Sequence, residues 1–227
     1  MISDANVYGL FDAKNKGSEE GKLELEVRFG EFNKKFIPGL QKNIFDRLMS
    51  FVSSFAKYEK TEYSCIINFS NNTRRVYVLA DPEPGHQFSY PWSVGSILDE
   101  YRQEKINVCK NYDVSEFGIR FSLANERDIP EYNTVNLSMF VTIRKRIIYS
   151  FLGSEFHFGI FKTDDKLITE TTFEHLPLNY NFEMEMGGDK PNIGLVYEFI
   201  KVIQDTKYPI GVSEMKNVLY NYTLFAG

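Results

Sequence analysis

Hydrophobic and polar residues alternate from Leu23 onward. In an extended chain Leu23, Leu25, Val27 and Phe29 share one face, and Glu24, Glu26 and Arg28 share the other. This predicts a strand over 22–30 with one apolar and one charged face. The alternation returns over 181–187, where Glu183 and Glu185 oppose Phe182, Met184 and Met186. Between them, β-rich runs predict strands over 63–69, 74–80, 99–109, 116–126, 138–149, 155–164 and 167–175. Asn71-Asn72 supplies a tight turn between the first two, and Asn33-Lys34-Lys35 another. The period changes twice. Leu40, Ile44, Phe45, Leu48, Met49, Val52 and Phe55 recur at spacings of three and four, which predicts a helix over 39–57. Leu195, Val196, Phe199, Ile200 and Ile203 predict another over 194–206, stopped by Tyr208-Pro209. Residues 1–21 read as a lead-in with a flexible join, 85–96 as a surface loop carrying Trp92, and 213–227 as a tail packed on a single domain spanning 22–227.

A sandwich strand also turns one polar face to water, so alternation alone leaves the architecture open. The signs of the charges narrow it. Acids concentrate in the first and last strands, and bases in the middle ones, at Arg75, Lys105, Arg120, Arg144, Arg146 and Lys162. Over 119–126, Arg120, Ser122, Ala124 and Glu126 oppose Ile119, Phe121 and Leu123; over 140–146, Thr142, Arg144 and Arg146 oppose Val141 and Ile143. A closed antiparallel barrel with the charged faces turned inward, around a wet lumen, accommodates this sorting. The two helices then cover parts of its apolar outside. The expected class is mainly β, within α+β.

A net charge of -5 over 227 residues argues against coating long nucleic acid by bulk attraction and leaves a local anion site open. Two cysteines, Cys65 and Cys109, form no disulfide framework and fit a reducing, intracellular setting. No apolar run approaches the ~18 residues of a membrane span, and Met1 to Gly21 lacks a secretory pattern. His86, His157 and His175 lie apart without zinc-ligand spacing. If the two Glu-x-Glu strands face one another, four carboxylates meet. Close carboxylates cannot all stay ionised without a cation, and Mg²⁺ or Mn²⁺ prefers oxygen ligands.

Glu24-Leu25-Glu26-Val27-Arg28-Phe29-Gly30 resembles the first-strand signature of the triphosphate tunnel metalloenzymes, and Glu183-Met184-Glu185 their last glutamate strand. Ile119-Arg120-Phe121-Ser122-Leu123 with Glu126, and Arg144-Lys145-Arg146-Ile147-Ile148-Tyr149, are similar to that family's Arg-Ile-Ser-Leu and basic strands. More narrowly, the set resembles the metal-dependent RNA triphosphatases of fungal and large-DNA-virus mRNA capping, mimivirus-type capping enzymes among them.

The resemblance implies an eight-stranded antiparallel tunnel and one Mg²⁺ or Mn²⁺ held by Glu24, Glu26, Glu183 and Glu185, with no organic cofactor. It implies that Glu126 orients or deprotonates the attacking water. Arg28, Arg75, Lys105, Arg144, Arg146 and Lys162 become the phosphate grips, with Asp164 supporting one of them and Arg144 and Arg146 also catalytic. Arg74 replaces Arg75 if the register shifts by one. Position 187, often a third glutamate in the family, is Gly. The implied substrate is the 5′-triphosphate end of RNA, with nucleoside triphosphates as side substrates in Mn²⁺. The implied setting is a monomer joined to guanylyltransferase and methyltransferase modules in a longer chain, in a viral factory, host cytoplasm or virion if the source is viral. Two alternatives stand beside this reading. One is a tunnel protein acting on thiamine triphosphate, tripolyphosphate or ATP cyclisation. The other is a non-catalytic polyanion-binding barrel whose glutamates serve only as salt-bridge partners.

Overall fold

Side-chain alternation decides the architecture, because each long strand has one face for water and charge and one for packing. The computed structural model describes residues 2–15, 22–69, 72–83, 85, 88, 97–130, 138–164, 175–188 and 191–204. In chain order the elements are α1 (Asp4–Asn15), β1 (Lys22–Asn33), β2 (Lys35–Pro38), α2 (Lys42–Ser53), β3 (Lys57–Phe69), β4 (Thr73–Leu79), β5 (Ile97–Asn107), β6 (Tyr112–Val114), β7 (Ile119–Asp128), β8 (Ser138–Phe151), β9 (Ser154–Asp164), β10 (Asn179–Met186) and α3 (Ile193–Gln204).

Eight of these strands close into a barrel in the order β1-β10-β9-β8-β3-β4-β5-β7, and β7 pairs back onto β1. Every pairing is antiparallel. Closure leaves these strands no free edge. The two short strands, β2 and β6, extend β1 and β7. This is the closed eight-stranded antiparallel tunnel that the resemblance implies, and the inward-charged barrel that the charge sorting accommodates.

The core lies outside the barrel. Leu25, Val27 and Phe29 of β1, Phe156 and Phe158 of β9, and Phe182, Met184 and Met186 of β10 are fully buried. They pack with Phe45, Leu48 and Val52 of α2 and with Leu195, Val196 and Phe199 of α3. Phe182 is its hub: it stacks on Phe158 at 4.6 Å and Phe29 at 5.2 Å, and meets Phe199 edge-on at 5.0 Å. A smaller cluster of Cys65, Tyr77, Val141 and Ile143 forms on the outer faces of β3, β4 and β8.

The expected elements recur with shifted ends. Helix 39–57 is trimmed to α2, and 194–206 becomes α3. The strand expected from 63 begins at Lys57, and the one expected from 116 begins at Ile119, after a short 3-10 turn over Ser115–Phe117. Gly118 ends that turn at φ 65°, and a Cβ there would sit 2.1 Å from the Gly30 carbonyl oxygen, so only glycine lets β1 and β7 close here. Residues 1–21, read as a lead-in, contain α1, whose Val7 and Phe11 are buried against the barrel. The strand expected at 167–175 and the tail at 213–227 lie outside the described residues, except residue 175. So does the loop expected at 85–96, except residues 85 and 88.

Candidate active site in the tunnel

The inward faces are polar. β1 and β10 are neighbours in a register that sets Glu26 against Glu185 and Arg28 against Glu183. Glu24 and Glu26 are buried on the inner face. β7 brings Glu126, β5 Lys105, β4 Arg74, β8 Arg144 and Arg146, β3 Lys60 and Glu62, and β9 Glu155 and His157. Together with Lys22 these residues line one cavity of about 240 Å³.

Within it each acid meets a base. Lys105 Nζ donates to Glu26 Oε1 at 2.5 Å, lies 2.7 Å from Glu126 Oε1 and reaches Glu24 Oε2 at 3.5 Å. Arg28 hydrogen-bonds Glu26 and holds Glu183 at 3.2 Å through Nε. Arg74 donates to Glu126 at 2.9 Å and is braced by the Gln103 side-chain oxygen at 2.8 and 3.1 Å. Lys22 Nζ bridges Glu24 at 2.9 Å and Glu185 at 3.1 Å. His157 Nε2 lies 2.9 Å from Glu155. Asn181, lying over Gly159, donates to Glu183 at 3.4 Å.

Crowding separates the proton affinities. Burial, then the neighbouring Glu126, pushes the Glu24 carboxyl above its ordinary value. Burial acts the same way on Glu126, but Arg74 and Lys105 outweigh it and hold that carboxyl low. Glu183 is also buried, yet Arg28 and Arg146 pull it well below the usual range. Burial, then the adjacent Arg146, pushes the Arg144 guanidinium below its ordinary value. Arg144 Nε is buried with no hydrogen-bond partner among the described residues. A guanidinium stays charged in proteins, so Arg144 holds a buried positive charge beside Arg146 with an Nε–H that an anionic oxygen could accept from.

The tunnel brings together Glu24, Glu26, Glu183, Glu185, Glu126, Arg28, Lys105, Arg144 and Arg146. Two expected grips, Arg75 and Lys162, and the supporting Asp164 point elsewhere. Arg75 lies on the outer face of β4, paired with Glu100 and 5.2 Å from the Tyr77 ring; Arg74, its register alternative, faces the lumen. Lys162 and Asp164 pair with Ile143 and Val141 of β8, whose side chains face outward, so they stand on the outer face of β9. Arg120 is held by Asp113 at 2.7 and 2.8 Å and lies 4.7 Å from the Phe36 ring. Lys22, Lys60, Glu62 and Glu155, which carry no motif, also line the lumen, as does His157, whose spacing excludes it as a zinc ligand on sequence grounds. Their signal was the same alternation, carried one turn of the pleat further along β1, β3 and β9.

The four glutamates do not converge on one point. Carboxylate oxygens of Glu24 and Glu26 gather within 4.8 Å of one another with Glu126, while Glu185 gathers with Glu155 and His157. Glu183 is turned to Arg28. The donors are nevertheless chemically suited to a hard divalent cation. They are carboxylates, partly or fully buried, and one of them, Glu24, already sits above its ordinary proton affinity beside a like charge.

No protein-family model and no curated protein matches the chain. Among solved structures it is similar to the RNA triphosphatase domain of the trifunctional mimivirus mRNA capping enzyme, with a TM-score of 0.63 and 16% identity, covering 90% of this chain and 100% of that one. It is also similar to the S. pombe Pct1 RNA triphosphatase, with a TM-score of 0.56 and 12% identity, covering 99% of this chain and 93% of that one. At these identities the likeness is one of fold. The chain has the tunnel fold of these triphosphatases.

Proposed function

We propose that this chain is a divalent-metal-dependent RNA 5′-triphosphatase, releasing the γ-phosphate from triphosphate-ended RNA as the first step of capping. One observation carries the reading. A closed tunnel aligns two Glu-x-Glu segments on adjacent strands and faces them with Arg74, Arg144 and Arg146 from other walls. Glu24, Glu26, Glu183 and Glu185 would hold Mg²⁺ or Mn²⁺, with small movements of the side chains that now separate them. When bound, the cation would supply Lewis-acid polarisation of a phosphoryl oxygen.

The chain's own residues do the rest. Arg144 and Arg146 bind phosphate oxygens and offset the charge that gathers as the bond to the β-phosphate lengthens. Glu126, kept ionised by Arg74 and Lys105, accepts a hydrogen bond from the attacking water and takes its proton. Water oxygen bonds to the γ-phosphorus, and the bridging oxygen leaves with the β-phosphate. The products are orthophosphate and diphosphate-ended RNA. Free nucleoside triphosphates fit the same grips and are the expected side substrates with Mn²⁺. Guanylyltransferase and methyltransferase modules, in the same longer chain, are the partners this product calls for.

The test is phosphate release from γ-labelled RNA in Mg²⁺ and Mn²⁺, with and without EDTA, run beside tripolyphosphate and ATP. Glu24→Ala and Glu185→Ala should each cut release by at least about 100-fold with an unchanged circular dichroism spectrum. Activity that survives EDTA, or either variant, overturns the metal assignment. A strong preference for tripolyphosphate moves the substrate to an inorganic one.

A further inference from the structure

Lys22 is a cation of the tunnel cluster that none of the expected phosphate grips includes, and it bridges acids of two different strands. It is the first residue of β1. Its Nζ lies 2.9 Å from Glu24 Oε1 and 3.1 Å from Glu185 Oε1, so a single ammonium ties the first-strand acids to the last-strand acids. The acids are enclosed, at 11% and 15% side-chain exposure, whereas the Lys22 side chain is 65% exposed. Lys105, by contrast, is 21% exposed and anchored by three carboxylates. Lys14, from α1, comes near the same acids, but its Nζ donates to the Met186 carbonyl oxygen at 2.5 Å.

We propose that the Lys22 ammonium is a built-in competitor for the divalent cation, bridging Glu24 and Glu185 until the cation displaces it, and that the displaced ammonium then binds polyphosphate at the tunnel mouth. This rests on the metal-dependent reading above. A hard cation needs the same lone pairs that Lys22 now occupies, so Nζ must leave when these carboxylates turn to the cation. Departure costs little in packing, because the side chain is mostly in solvent and ends a four-carbon stem. Once freed, it stands beside a lumen whose remaining bases already favour an anion. The exchange links the two ligands: the cation sets Lys22 free, and the phosphate oxygens then hold it away from Glu24 and Glu185.

The measurement is Mn²⁺ affinity without substrate, read from the free-ion electron paramagnetic resonance signal, on the full chain stripped with EDTA. Lys22→Met, at an exposed position, should keep its melting temperature and bind Mn²⁺ roughly three- to tenfold tighter, the gain expected from losing two partly exposed ammonium–carboxylate contacts. Lys22→Arg, which keeps a bridging cation, should stay within about twofold of the parent. At saturating Mn²⁺ the KM for triphosphate-ended RNA should rise in Lys22→Met. Unchanged or weaker Mn²⁺ binding in Lys22→Met overturns the competitor role. Tighter binding with no rise in KM overturns the phosphate role. A parent chain that binds no Mn²⁺ at millimolar concentration overturns this inference and the metal-dependent reading together, whereas parent binding abolished by Glu24→Ala keeps that reading intact whichever way Lys22 behaves.

Discussion

Arg144→Met separates a ligand-binding cation from a structural one. Arg144 lies in the lumen next to Arg146, its Nε has no hydrogen-bond partner among the described residues, and burial and Arg146 both work against its charge. Replacing a buried charge that lacks a full set of hydrogen bonds by an apolar side chain of similar length recovers its desolvation cost, a gain of about 1 kcal/mol. For a chain of this size that is a rise in melting temperature of roughly 2–4 °C. Glu183 loses one attractive neighbour in the variant but keeps Arg28, Arg146 and Lys105, so the sign should hold. Ligand binding should move the other way. Tripolyphosphate at about 100 times its dissociation constant stabilises by about 2.7 kcal/mol, or roughly 5–10 °C. Losing one charge-assisted contact of about 2 kcal/mol weakens binding about 30-fold. At the same concentration the stabilisation then falls to about 0.9 kcal/mol, or roughly 2–4 °C. The assay is differential scanning fluorimetry with tripolyphosphate in EDTA, which keeps metal-dependent turnover out. A variant that melts several degrees lower without ligand, yet keeps the full tripolyphosphate shift, would falsify the anion role of Arg144 and make it a structural cation.

Two further outcomes follow from the register and the core. Arg74→Ala should lower phosphate release by about 100-fold, while Arg75→Ala, on the outer face, should leave it within about threefold; equal losses would refute the assignment of Arg74 alone to the lumen. Phe182→Ala removes the ring that touches Phe29, Phe158 and Phe199 and should cost about 3–5 kcal/mol, seen as a fall of roughly 6–20 °C in calorimetry. A loss under 1 kcal/mol would show that the outer aromatic layer is not the main core.

The barrel and its acidic wall were legible because both depend on period two. Glu24, Glu26, Glu183 and Glu185 alternate with apolar residues that have to be covered, so their inward direction follows from burial. Arg74 and Arg75 were not separable this way. Adjacent arginines exchange faces with a one-residue shift, and the pairing that decides it, Asn68 with Arg74, is a tertiary fact. Lys162 and Asp164 did carry a readable signal: they share parity with Phe156, Phe158 and Ile160, two of which are fully buried outside the barrel. Lys60 and Glu62 escaped because the first half of β3 is too charged to look like a strand, although in a lumen charge is what a strand face should carry. α1 escaped because two buried residues, Val7 and Phe11, make only a narrow stripe.

Along β1, β9 and β10, the letters that hold the scaffold and the letters that face the lumen are interleaved and scarcely overlap. Stability is settled on the convex side, between aromatic rings and helices, while the hollow interior contributes little cohesion. A substitution inside can thus redirect chemistry with small structural penalty, and a substitution outside can soften the shell without touching the reagents. Such a protein can diverge in what its interior binds long before it diverges in shape.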